Sequence, residues 1–277
     1  MIPKGDHMYR SVIFAACVAM ATMPLMAQKT VIRPPSAGPA TETEFFPLQS
    51  GNKLKVSNSG GDIKISAWDK DEVALTANFK PSSSGKQVFI KIKDNEKSLK
   101  LTAKYSSKIW RRIKKGTKGA SCTMELMVPH RVACNISSAN GSITLNATGG
   151  QNKVETKNGA IALNGTAGNN RVKTTNGDIS LNDINGSVDI FSPNGSIGGT
   201  LQNIEKLKVF THTGSIRVKL LNFNCTIKAS ASSGDVALHP SGAKSFEYEK
   251  GKTIRATFGD GSASIDLKTL SGSIVID

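Results

Sequence analysis

From Asn140 onward the chain repeats one short pattern: a polar pair, then apolar and polar residues in strict alternation. Asn140-Gly141-Ser142-Ile143-Thr144-Leu145 is followed by Asn158-Gly159-Ala160-Ile161-Ala162-Leu163 and Asn176-Gly177-Asp178-Ile179-Ser180-Leu181. Asn194-Gly195-Ser196-Ile197 comes next, and each unit lies 18 residues after the one before. A period of two is the strand period, because successive side chains leave opposite faces of a strand. Second alternating stretches lie between these units: Val154-Glu155-Thr156, Val172-Lys173-Thr174 and Val188-Asp189-Ile190. Asn164-Gly165 and Asn185-Gly186 mark second turns, so each repeat holds two short strands and two turns. The same residue types at a fixed step predict units that stack. The expected fold is all-β: a single-domain, β-helix-like solenoid with rungs of roughly 18–20 residues and covered ends. Stacking sets Asn140, Asn158, Asn176 and Asn194 above one another, ~4.8 Å apart, where their amides can bond along a ladder. Gly141, Gly159, Gly177 and Gly195 then supply a corner that needs left-handed backbone. The alternative is an antiparallel meander or sandwich, since Asn-Gly between alternating segments is also a hairpin signal. A meander gives no reason for every second strand to match its predecessor's polar residues.

The regular array is read over 139–240, continuing through Thr213-Gly214-Ser215-Ile216 and Ser233-Gly234-Asp235-Val236. Residues 241–277 are expected to form further rungs and a cap, ending in Ser271-Gly272-Ser273-Ile274, about seven rungs in chain order from Gly141. Residues 48–138 are an irregular first part of the same domain. There Lys93–Lys97 joins two alternating stretches and reads as a hairpin loop. Residues 28–47 contain Pro34, Pro35 and Pro39 and read as a Pro-rich linker, with Phe45 and Phe46 placed to cover an open sheet end. Residues 1–27 read as a secretory signal peptide: Lys4 and Arg10, an apolar run Val12–Ala21, and Ala27 before the cut. The expected location is therefore the periplasm, the outer surface or the medium, and no stretch reaches the length of a transmembrane helix.

The order Leu54-Lys55-Val56, Gly61-Asp62-Ile63-Lys64-Ile65, Trp68-Asp69-Lys70-Asp71-Glu72-Val73 resembles the opening of a family of bacterial exported proteins described as "putative adhesins". The resemblance runs on through the Gly-[Ser/Asp]-Ile units to Ile276. Ala67 stands where that family usually has Gly. The resemblance implies a β-helix-like fold at the cell envelope and brings no catalytic residues.

Composition narrows the chemistry. Aromatics are 5% of the chain, so the core must be built from Val, Ile and Leu. Cys122, Cys134 and Cys225 share phase with apolar neighbours and read as buried thiols, one disulfide being the alternative. The net charge of +15 favours anionic partners. It is concentrated in one segment that lacks acidic residues: Lys104, Lys108, Arg111, Arg112, Lys114, Lys115 and Lys118 surround Tyr105 and Trp110. Such a segment can neutralise phosphates or uronates and stack a ring on a sugar. Equally, it can be a solvated insertion. His130, His212 and His239 show no metal-ligand spacing. Asp62, Asp178 and Asp235 follow turn glycines, but Ser142, Ala160 and Ser196 fill the same slot elsewhere, so no calcium ladder is expected. Asp189 with Asp178, or Glu155 with Arg171, can be drawn as a β-helix glycosidase or lyase pair, yet nothing marks them out from solvated strand faces. The expectation is a non-enzymatic envelope module with no cofactor or metal, binding through extended strand faces. Cell-surface or anionic glycans and other envelope proteins are its expected partners, and nucleic acid is not.

Overall fold

A computed structural model describes residues 31–32, 39–82, 87–106, 120–221, 224–249 and 252–277. The secondary structure of these residues consists of strands. They form a β-solenoid, because the repeats stack in parallel and in register. Asn140 pairs with Asn158, Asn158 with Asn176, and Asn176 with Asn194. Asn158 donates through its side-chain amide to Asn140 at 2.8 Å, Asn176 to Asn158 at 2.8 Å and Asn194 to Asn176 at 3.0 Å.

Each rung contributes to two facing sheets. The parallel core of the first sheet stacks Ser98–Ser106, Lys53–Asn58, Ala133–Asn140, Gly149–Asn158 and Ala167–Asn176. It continues with the later halves of Ile179–Asn194 and Ile197–Thr213, then Ala263–Ser271 and Cys225–Ser233. The second sheet stacks Ser121–Pro129, Ile63–Trp68, Ile143–Asn146 and Ile161–Asn164. The early halves of the two long strands follow, then Ile216–Leu221, Ile274–Ile276 and Val236–Leu238. Alternation buries every second side chain between the sheets, so Ile143, Ile161, Ile179, Ile197 and Ile216 form one dry column. Cys122, Cys134 and Cys225 lie buried in this core as free thiols.

Antiparallel strands cover the stack. Glu72–Lys80 and Ala40–Pro47 close one end of the second sheet, and Gln87–Asn95 with Val31–Ile32 one end of the first. Thr253–Thr257 and Ser245–Glu249 close the other end of the first sheet. Segment 28–47 is thus more than a linker: Ala40–Pro47 is a paired strand, with Phe46 buried and Phe45 59% exposed. Apolar Phe46 facing a sheet end outweighs the proline content that suggested an unstructured connection.

The stack also departs from chain order at both ends. Ser121–Pro129 sits between Ile63–Trp68 and Glu72–Lys80, so the turn at Asp69–Asp71 crosses over an inserted strand. Trp68 braces this turn, donating to the Glu72 carbonyl at 2.8 Å. Likewise the rung of Gly272 lies between those of Gly214 and Gly234: the Gly214 amide donates to Ser271, and the Gly272 amide to Ser233. The expected run of rungs in chain order is corrected accordingly.

Two internal devices fix the glycine corner. Backbones approach so closely that a Cβ on Gly177 would lie 2.1 Å from the Gly159 carbonyl oxygen. Buried hydroxyls hold the same carbonyls from inside. Thr156 donates to Gly141 at 3.1 Å, Thr174 to Gly159 at 3.2 Å, Thr211 to Gly195 at 3.3 Å and Thr269 to Gly214 at 3.0 Å.

Candidate functional site

The two outer faces differ in chemistry. On the middle rungs of the second sheet the outward positions are small and neutral: Thr144, Ala162, Ser180 and Gly198 share one row, which Lys64 and Arg217 continue on either side. Asn146, Asn164 and Asn182 share the next, where Asn164 donates to Asn146 at 2.8 Å and Asn182 to Asn164 at 2.7 Å.

The first sheet carries charge along most of its outer row. Strand registers place Lys93, Lys100 and Lys55 side by side, followed by Asn135, Lys153 and Arg171. Beyond Arg171 the row alternates in sign through Asp189, Lys208, Asp266 and Lys228. Arg171 lies 4.0 Å from Asp189, and Lys153 lies 3.2 Å from Glu155. Among the described residues, no carboxylate lies within 4.0 Å of Lys53, Lys55, Lys93 or Lys100. One half of the face is therefore self-neutralised and the other is not. In the neighbouring row the Phe191 and Phe210 rings stack at 5.7 Å, with Lys173 5.4 Å over Phe191 and His212 edge-on to Phe210 at 5.0 Å.

This face is concave. A cleft of about 570 Å³ is lined by Lys53, Lys55, Lys100, Lys153 and Arg171 with no carboxylate. A second of about 750 Å³ shares Lys153 and Arg171 with it and reaches Phe191, Phe210 and Lys268. The two make one groove across the strands, along the direction in which rungs stack.

Of the basic segment singled out in the sequence, Lys104 is exposed on Ser98–Ser106, in phase with outward Lys100. Lys108, Trp110, Arg111, Arg112, Lys114, Lys115 and Lys118 lie outside the described residues. The carboxylates drawn as enzyme pairs are engaged otherwise. Asp178 accepts the Ser196 backbone amide at 2.8 Å, as Asp62 accepts that of Ser142, while Asp189 faces Arg171 and Glu155 faces Lys153. His130 bonds Asp69 at 3.0 Å and His239 bonds Asp277 at 2.6 Å. Among the described residues no cluster of three His, Cys, Asp or Glu is placed to hold a metal ion, and no helix is long and apolar enough to cross a membrane. Burial pushes the Cys122 and Cys134 thiols up to about 12 and that of Cys225 to about 11, which keeps them protonated and unreactive.

Sequence reasoning missed the Lys93–Lys100–Lys55 row, because its members come from three strands whose register only the fold sets. The Phe191–Phe210 stack did leave a signal, since its step of 19 matches that from Gly195 to Gly214.

Fold and surface together define the type of architecture: a two-sheet β-solenoid presenting a charged groove on its first sheet. The chain belongs to the Toastrack DUF4097 family, which matches residues 51–277. No curated protein matches it. Among solved structures it is similar to a "putative cell adhesion protein" from Clostridium sporogenes, at 13% identity and a TM-score of 0.33, covering 86% of this chain and 99% of that one. It is also similar to a "putative adhesin" from Bacteroides fragilis, at 12% identity and a TM-score of 0.40, covering 86% and 97%. Another is a "putative lipid binding protein" from Parabacteroides distasonis, at 10% identity and a TM-score of 0.25, covering 86% and 96%.

Proposed function

We propose that this protein is an exported, non-enzymatic module of the cell envelope that adheres to its partner through the outer groove of the first sheet. The observation that carries this reading is the asymmetry of the two faces. Stacked rings, clefts and the unpaired lysine row fall together on the first sheet, while the middle rungs of the second present small neutral residues and its charges, such as Lys64, Arg217 and Lys219, lie toward its ends. Binding across many strands by repeated weak contacts suits a rigid solenoid better than a single pocket does.

The buried cysteines make a direct test possible. With Cys17 replaced by Ser, a cysteine introduced at exposed Asn169, in the groove, or at exposed Ser180, on the opposite face, stands apart from the buried Cys122, Cys134 and Cys225 and accepts a maleimide-linked polymer. Polymer on Asn169→Cys abolishes binding of the full chain to an envelope fraction, and polymer on Ser180→Cys leaves it intact. Equal effects of the two would overturn the assignment. Cell fractionation tests the exported location: recovery of the chain in the cytoplasm alone counts against it.

A further inference from the structure

The groove's unneutralised half has a stability cost that the fold does not require. Lys93, Lys100 and Lys55 are direct cross-strand neighbours, ~4.8 Å apart along the sheet, and like charges in that relation destabilise a sheet. From Arg171 to Lys228 the same row avoids this cost by alternating sign, and like charges meet again at Lys228 and Arg255 at its far edge. The lysine row borders the cleft of about 570 Å³, where unpaired Lys53, Lys55 and Lys100 are joined by Lys153 and Arg171, the last two engaged by Glu155 and Asp189. We infer that this cleft binds a linear anionic polysaccharide, its carboxylate or sulfate groups lying along the lysine row with the chain running parallel to the stack. The inference deepens the adhesion reading above and rests on it for the choice of face.

Three features select a polysaccharide. The cations repeat at the strand spacing, ~4.8 Å, close to the rise of one pyranose along an extended chain, so successive acidic sugars meet successive strands. Asn135, Gln151 and Asn169 lie among the cations in the cleft and offer amide donors and acceptors to ring hydroxyls. The continuing groove leads to the Phe191–Phe210 stack, whose ring edges and faces suit the apolar faces of sugars. A lipid bilayer fits less well. The surface is concave, and the exposed large apolar side chains Val31, Phe45, Met127, Phe246 and Tyr248 lie outside the cleft, so among the described residues none is placed there to insert as an anchor. Nucleic acid would find phosphate partners there, but the groove's rings lie beyond the lysine row and not among its cations, so bases held at that row have nothing to stack on.

The test uses the full chain on columns of alginate, polygalacturonate and heparin, with neutral dextran, single-stranded DNA and anionic phospholipid vesicles as comparison probes. The chain is expected to be retained on at least one anionic polysaccharide, in a salt-dependent manner, and not on dextran. Lys55→Gln with Lys100→Gln removes two contacts. It lowers affinity at least about tenfold and reduces the steepness of the salt dependence by about two ions. Lys64→Gln with Lys219→Gln makes the same change in net charge on the exposed second face and leaves retention unchanged. Neither pair lowers the thermal midpoint, and the Lys55/Lys100 pair raises it slightly at low salt by removing like-charge contacts, which separates loss of binding from loss of folding. Equal losses in the two pairs reduce the effect to net charge and overturn the inference. So does absence of retention on every polysaccharide, or tighter binding to DNA or vesicles. If the Lys55/Lys100 pair keeps envelope binding while polymer at Asn169→Cys blocks it, the ligand class fails and the binding face stands.

Discussion

Replacing Gly177 by Ala isolates the contact that sets the solenoid's rung spacing. Gly177 has a φ of 154°, outside the range side-chain-bearing residues adopt readily, and an added Cβ would sit 2.1 Å from the Gly159 carbonyl oxygen. Restoring an ordinary contact of 3.4 Å means separating the rungs locally by about 1.3 Å. The ladder bonds beside it, Gly159 N–H to Asn176 O at 3.0 Å and Ile161 N–H to Asp178 O at 3.0 Å, cannot follow that far without breaking. Backbone strain of about 1–3 kcal/mol and overlap of similar size put the total cost at about 4 kcal/mol. Gly165→Ala is the matched control: its φ is also positive, at 58°, but the nearest atom to a new Cβ is 4.0 Å away. It should cost only about 1 kcal/mol of left-handed strain. The difference, about 3 kcal/mol, corresponds to roughly 6–12 °C in Tm for a domain of this size. Equilibrium urea unfolding followed by circular dichroism measures both variants. A lower m-value in Gly177→Ala would mark local opening of the rung before the rest. Equal destabilisation of the two variants would refute the claim that the corner is fixed by carbonyl contact.

Other expectations concern the interior and the charged row. Thr174→Val removes the donor to the Gly159 carbonyl and should cost about 1 kcal/mol. Thr166→Val should stabilise by a similar amount, since that buried hydroxyl finds no protein partner; chemical denaturation separates the two signs. The native thiols should resist alkylation at pH 8 until the chain unfolds. Because burial raises them from 9.0 to about 11–12, their contribution to stability should be complete below about pH 9. It should fall as pH rises toward 12, as the unfolded thiols ionise first. Lys100→Gln should stabilise the free protein by about 0.5 kcal/mol at low salt, and less at 1 M, by removing a like charge between Lys93 and Lys55.

Local periodicity made the centre of the molecule legible. The step from Asn140 to Asn194, the alternation of Ile143 with Thr144, and the glycine after each Asn are all signals within one rung, and the structure stacks them as that step implies. The ends were less legible, because strand insertion there is decided by distant pairing. Ser121–Pro129 reads as an ordinary strand, and nothing in its composition places it between Ile63–Trp68 and Glu72–Lys80. The inner hydroxyl ladder was half legible: Thr156 and Thr174 stand two residues before Asn, but their partners, the glycine carbonyls of the preceding rung, appear only once rungs are stacked. The proposed binding face was least legible. Lys55 and Lys100 lie far apart in the chain, and only register makes them neighbours.

The late strand inserted beneath Gly234 determines when this molecule can be assembled. Cys225–Ser233 has no seat on the rung of Gly214 until Ala263–Ser271 has been laid between them. A chain growing from its N-terminus can therefore complete rungs only as far as Gly214 before synthesis reaches the final segment. Under the exported location proposed above, that delay lets the chain pass a translocon before its last rungs close. It also means that the array cannot be lengthened by appending repeats at its C-terminal side; any added rung has to enter upstream of Gly214.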